Sequence, residues 1–144
     1  MNSMARRLPL TGYKVISAEQ YGAGPYGTLF LAQLGADVIK IEPPKGGDTA
    51  RGVGPHFLRE GESLYFQTFN LNKRSLTLDL NTKAGQEVLH KLVASAHVMA
   101  NNLRGDIPAK LGLTYEALKG ANKAIICAHA SAYGRDNDRS LAWI

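Results

Sequence analysis

The chain has 144 residues, 44% of them hydrophobic and 20% charged, and a formal net charge of +5. That composition suits one globular domain with a core and excludes disordered and fibrous classes, and a single cysteine, Cys127, excludes an internal disulfide framework. The basic residues are scattered, no Cys/His cluster has zinc-ligand spacing and no apolar run approaches a membrane span, so we expect a cytoplasmic protein for an anionic small ligand, with no nucleic acid, membrane or metal.

Val15-Ile16-Ser17-Ala18 reads as a short buried strand, residues 19–24 as a glycine-containing turn, and residues 25–34 as a helix. Pro25 stands at the first helical position in this reading, where a missing N–H costs nothing. Gly35 fits the left-handed residue just past the helix end, and residues 38–42 form a second strand. Such a βαβ unit aims the amides of its first turn at an anionic or phosphate-bearing ligand. Gly22-Ala-Gly24-Pro-Tyr-Gly27 also fits the G-x-G-x-x-G pattern, with Glu42 in place for a ribose. Against a NAD-linked oxidoreductase, Glu19, Gln20 and Tyr21 separate the apolar run from the first glycine, and Pro25 removes an amide.

Residues 43–63 have little regular pattern, and both a functional loop and a flexible excursion fit them. Residues 63–70, with Leu64, Tyr65, Phe66 and Phe69, read as a helical turn on the core. Strict alternation in Leu76-Thr-Leu78-Asp-Leu80 predicts a half-buried strand. Thr82 is placed to cap a helix whose apolar stripe is Val88, Leu89, Leu92 and Val93. Residues 97–100 give a fourth strand, Asp106 caps a short segment that Gly112 stops, Thr114 starts another helix, and residues 124–128 give a fifth strand. These elements predict an α/β fold: a doubly wound, mostly parallel Rossmann-like sheet of about five strands, with ligands at the strands' carboxyl ends. The glycine turn, the Asn102 loop and residues 131–134 would share that edge. Residues 135–144 read as a polar linker, in which Asp136 and Asp138 are solvated charges, cut short at Trp143 and Ile144. Exposed sheet edges and Trp143 lead us to expect self-association.

Several stretches, in order from about Leu10 to Gly134, carry a family resemblance. They are Ala23-Gly-Pro25-Tyr, Leu34-Gly-Ala-Asp37-Val-Ile-Lys40-Ile-Glu42, Gly47-Asp48 with Arg51-Gly52, Asn72-Lys-Arg74-Ser75, Leu78-Asp-Leu80, Asn102-Leu-Arg104 and Leu111-Gly-Leu113-Thr-Tyr115-Glu. Together they resemble the N-terminal region of class III CoA-transferases, the carnitine-dehydratase and bile-acid-inducible-protein group that includes the α-methylacyl-CoA racemases. The resemblance implies that residues 1–144 are the CoA-binding, Rossmann-like part of an incomplete large domain, in an interlocked homodimer. It implies an acyl-CoA substrate, a carboxylic acid acceptor, and transfer through an aspartyl anhydride and thioester. Gln20, Tyr21, Gly22 and Ala23 match the segment along the CoA thiol arm. Leu78, Asn102 and Leu103 match positions around the CoA nucleotide, and Lys110 matches a basic position for its phosphates, with Arg104 a second candidate.

The sequence departs from the family at Asn101-Asn-Leu-Arg-Gly-Asp106, where Glu-Asn-Phe-Arg-Pro-Gly is common, and at Pro43, where some members carry arginine. By resemblance the nucleophilic aspartate falls a few tens of residues past Gly134, beyond Ile144, so no catalytic residue is assigned and the chain alone is expected to be inactive. The alternatives are a racemase-like fragment, a non-catalytic CoA-binding or dimerising module, and the NAD-linked enzyme.

Overall fold

A computed structural model describes residues 7–134, 137 and 139. In chain order the elements are β1 (Lys14–Ala18), α1 (Ala23–Gln33), β2 (Asp37–Glu42), a 3-10 turn (Thr49–Gly52), β3 (Phe57–Arg59), β4 (Glu62–Ser63), α2 (Leu64–Asn70), β5 (Arg74–Thr77), α3 (Lys83–Val93), β6 (Val98–Asn101), α4 (Ile107–Lys110), α5 (Tyr115–Leu118) and β7 (Ile126–His129). Five strands form one sheet in the order β5-β2-β1-β6-β7, parallel throughout. The chain builds outward from β1 to one side first and then to the other, so the loops leaving β1 and β6 diverge and open a crevice at the carboxyl edge.

Alternation along the strands explains the two layers. Ile16, Ile39, Ile41 and Met99 face α3, where Leu89 and Val93 are fully buried with Leu113 and Leu118. On the opposite face Val15 and Val38 pack against Ala32 of α1 and Ala36. Full burial of each large side chain contributes about 1.5–3 kcal/mol, so α3 is held by its stripe more than by intrinsic helix preference. Thr82 starts α3 by accepting from the Gly85 amide at 3.0 Å, and Gly35, at φ +99°, follows α1 as its left-handed terminator. Helix α2 lies on α1 through an aromatic series, Tyr21 to Tyr65 to Phe69 to Tyr26 to Phe30, with ring centroids 4.8–5.9 Å apart.

The expected α/β class, doubly wound parallel sheet and five strands are what the structure has. Four local expectations change. Helix α1 begins at Ala23, which makes Pro25 its third residue; any of the first positions tolerates proline, because their N–H groups have no intrahelical partner. The alternating leucines do pack on the core, but the ladder of β5 runs over Arg74–Thr77 and stops before Leu78 and Leu80. Residues 43–63 contain the 3-10 turn and the β3/β4 hairpin, fixed by Asp48 accepting from Ala50 N at 2.8 Å and Ser63 Oγ donating to Ala50 O at 2.6 Å. Asp106 precedes α4 without capping it, because its carboxylate is taken by Arg104 and Lys110. The linker reading for residues 135–144, including Asp136, Asp138 and Trp143, lies outside the described residues except at 137 and 139.

Candidate functional site

The loop from β1 into α1 is gripped by side chains on consecutive peptide groups. The Glu19 carbonyl accepts from Lys40 Nζ at 3.2 Å. Gln20 donates its amide to Asn102 Oδ1 and accepts from Asn102 Nδ2, both at 2.9 Å. Tyr21 donates its amide to Asp48 Oδ1 at 2.9 Å and holds φ at +68°, a left-handed conformation unfavourable for an aromatic residue. The surroundings therefore over-determine this loop.

Beneath it lies a cluster of three acids and three bases. Lys40 Nζ meets Asp48 Oδ2 at 2.5 Å with both side chains at most 1% exposed. Lys73 Nζ meets Glu19 Oε1 at 2.9 Å and also donates to the Pro25 carbonyl at 2.8 Å. Burial pushes the Lys73 ammonium below its usual range, against the opposing pull of Glu19. Glu42 takes a bidentate fork from Arg51 at 2.7 and 2.8 Å, the Ser75 hydroxyl at 2.7 Å and the Asp48 amide at 2.9 Å. Burial would raise the Glu42 carboxyl, but the Arg51, Ser75 and Asp48 hydrogen bonds outweigh it and lower its pKa from 4.5 to about 2. Buried charges persist only when paired and hydrogen-bonded, and here the pairing fixes the loop. Both Glu42 oxygens are occupied, which removes the ribose acceptor that the glycine pattern suggested.

Above the loop is a cavity of about 270 Å³ lined by Gln20, Tyr21, Gly22, Ala23, Thr49, Asn102 and Leu103. A mostly apolar neighbour of about 150 Å³ is walled by Ile41, Leu78, Leu80, Leu103, Ile107 and Leu111, with Glu19, Asp79 and Asn81 also at its border, and Gln20 and Leu103 line both cavities. Helix α1 opens at the first cavity with no side-chain cap and no acid in its first turn. The amides of Ala23 and Gly24 have no acceptor within the helix, so this end can take a carbonyl oxygen, an oxyanion or a phosphate oxygen.

The structure thus brings together Gln20, Tyr21, Gly22, Ala23, Asn102 and Leu103 around one cavity and puts Leu78 in the next. Arg104 and Lys110 line neither; Arg104 Nε sits 3.0 Å and Lys110 Nζ 2.8 Å from Asp106. Thr49, Ile107 and Leu111 were not picked out from the sequence. Thr49 follows the Gly46-Gly47-Asp48 turn, and the cap supplied by Asp48 was the signal for it.

The model of CoA-transferase family III matches residues 10–142. The chain is 40% identical over 135 residues to a succinate–glutarate CoA-transferase of Agrobacterium fabrum, covering 90% of this chain and 34% of the relative. It is 38% identical over 127 residues to an acetyl-CoA:oxalate CoA-transferase of Acetobacter aceti, covering 88% and 32%. A CAIB/BAIF family protein from Brucella suis, solved by crystallography, superposes with a TM-score of 0.87 at 38% identity, covering 96% of this chain and 37% of that one. The chain spans about a third of the length of the curated relatives it matches.

Proposed function

The chain belongs to CoA-transferase family III, and from that premise we propose that it supplies the acyl-CoA-binding part of an enzyme that moves CoA from a thioester to a carboxylic acid. The observation that carries this reading is the cavity at the uncapped start of α1, walled by Gln20, Tyr21, Gly22, Ala23, Asn102 and Leu103 at the sheet's switch point. CoA needs amides and cations for its phosphates and mostly apolar walls for its pantetheine arm. The paired cavities offer amides in one and apolar walls in the other.

In the proposed reaction a carboxylate attacks the thioester carbonyl carbon, the C–S bond breaks, and CoA thiolate leaves to give a mixed anhydride. The thiolate then attacks the enzyme's side of the anhydride, releasing the donor acid and forming an enzyme thioester. The acceptor carboxylate attacks that thioester, and the thiolate returns to the second anhydride to form the new acyl-CoA and free the enzyme carboxylate. Amides at the start of α1 would stabilise oxyanion character on the reacting carbonyl.

None of the described residues lining the 270 Å³ cavity is an acid; of the two acids at the 150 Å³ cavity, Glu19 is tied into a buried ion pair with Lys73 and Asp79 accepts from the backbone and side-chain amides of Asn81. The nucleophile is therefore proposed to come from outside this sequence. Isothermal titration of the purified chain with CoA tests the reading: saturable binding supports it, and protection against unfolding by NAD but not by CoA overturns it.

A further inference from the structure

We infer that Asn102 is a positioning residue that shapes the acyl-CoA site by holding the backbone of Gln20. The inference rests on the CoA-transferase reading above. The Asn102 carboxamide bonds both backbone polar groups of Gln20: Oδ1 accepts from Gln20 N and Nδ2 donates to Gln20 O, each at 2.9 Å.

Gly24 is what lets the carboxamide come so close. A Cβ at position 24 would stand 2.7 Å from both Cγ and Oδ1 of Asn102 and 2.9 Å from its Cβ. Contacts that short do not occur in packed proteins, so any larger residue there would push Asn102 off Gln20. On the other side, Lys40 holds the preceding carbonyl and Asp48 the following amide. The segment is therefore clamped from two directions, and its exit into Gly22, Ala23 and the α1 amides is set by the clamp.

Asn102 can do this because of where it sits. It follows Asn101, the last residue of β6, which is in register with Ala18, the last residue of β1. The clamp therefore joins the two diverging loops directly beyond a paired position at the strands' carboxyl ends. Its effect on the site is to fix the path by which the loop enters the uncapped start of α1.

The test combines hydrogen exchange of the ligand-free chain with CoA titration, on wild type, Asn102→Ala, Asn102→Asp and Gly24→Ala. Loss of two hydrogen bonds to one residue is expected to speed exchange at Gln20 and Tyr21 at least about tenfold in Asn102→Ala, and to weaken CoA binding by about tenfold. Asn102→Asp keeps the volume and the acceptor for Gln20 N but presents an oxygen to Gln20 O, so it should fall between. Gly24→Ala leaves Asn102 chemically intact and should still reproduce the Asn102→Ala effects. Unchanged exchange at Gln20 in Asn102→Ala overturns the inference, as does faster exchange with unaltered CoA affinity. Wild type that fails to bind CoA overturns the transferase reading itself, and with it the role assigned to the clamp.

Discussion

Lys40 and Asp48 form a 2.5 Å ion pair sealed from solvent, and the same Asp48 carboxylate accepts the Tyr21 amide at the lip of the cavity. A stability element and a site element are thus one structure. Replacing Lys40 with methionine should lower the unfolding free energy by about 3–5 kcal/mol, the usual penalty for stranding a buried charge. Urea unfolding measures it; a loss below about 1 kcal/mol would mean that the pair behaves like an exposed one.

Glu42 gives a pH dependence with a definite sign. Its folded pKa, about 2, lies below the ordinary 4.5. A carboxyl depressed in the folded state stabilises the protein above its unfolded value and loses that contribution as pH falls through the folded value. Stability should therefore decline between about pH 4.5 and about pH 2. Glu42→Gln should start less stable near neutrality and show a flatter acid decline in urea midpoints. A parallel decline in wild type and variant would assign the acid sensitivity to other groups.

Two glycine-to-alanine substitutions should act in opposite directions. A Cβ at Gly85 would lie 1.9 Å from the Asp79 carbonyl oxygen, which is backbone and cannot swing aside. Gly85→Ala should therefore cost about 1–3 kcal/mol or more as the start of α3 shifts. Gly27 lies within α1 and a Cβ there would meet nothing within 4 Å. Gly27→Ala should raise stability by about 0.4–1 kcal/mol, since alanine loses less freedom on entering a helix. Thermal unfolding of the pair, read against wild type, checks both signs.

The transferase reading separates binding from turnover. The purified chain should bind CoA yet move none of it between acyl-CoA and free acids, because its first cavity offers no acid to attack a thioester. Chromatographic assay of acyl-CoA with a dicarboxylate acceptor is the measurement. Turnover would require a nucleophile among residues 1–144 and would redirect the search to Asp79, Glu19 and Asp48.

Much of the fold could be read from the sequence, because its signals are local. Short apolar runs mark β1 and β2, the Thr82 cap and an apolar stripe through Leu89, Leu92 and Val93 mark α3, and Gly35 marks the end of α1. The hairpin after Asp48 left no such mark. Its short strands are mostly exposed, and the bonds that fix it join Ser63 to Ala50, 13 residues apart. The lysine, aspartate, glutamate and arginine motifs were visible in the sequence, but not their use. Lys40, Glu42, Asp48, Arg51 and Lys73 build the floor under the loop, and Arg104 and Lys110 share Asp106 while staying partly exposed. Lone charges in a sequence do not say which partner they will meet.

Asn102 and Gln20 are 82 positions apart. During synthesis the Gly22–Gly27 stretch leaves the ribosome long before the residue that shapes it. At about 5–20 residues per second that interval is roughly 4–16 s. For that time the Gln20 backbone lacks the side chain that clamps it, so the glycine motif exists before this part of its support has been made.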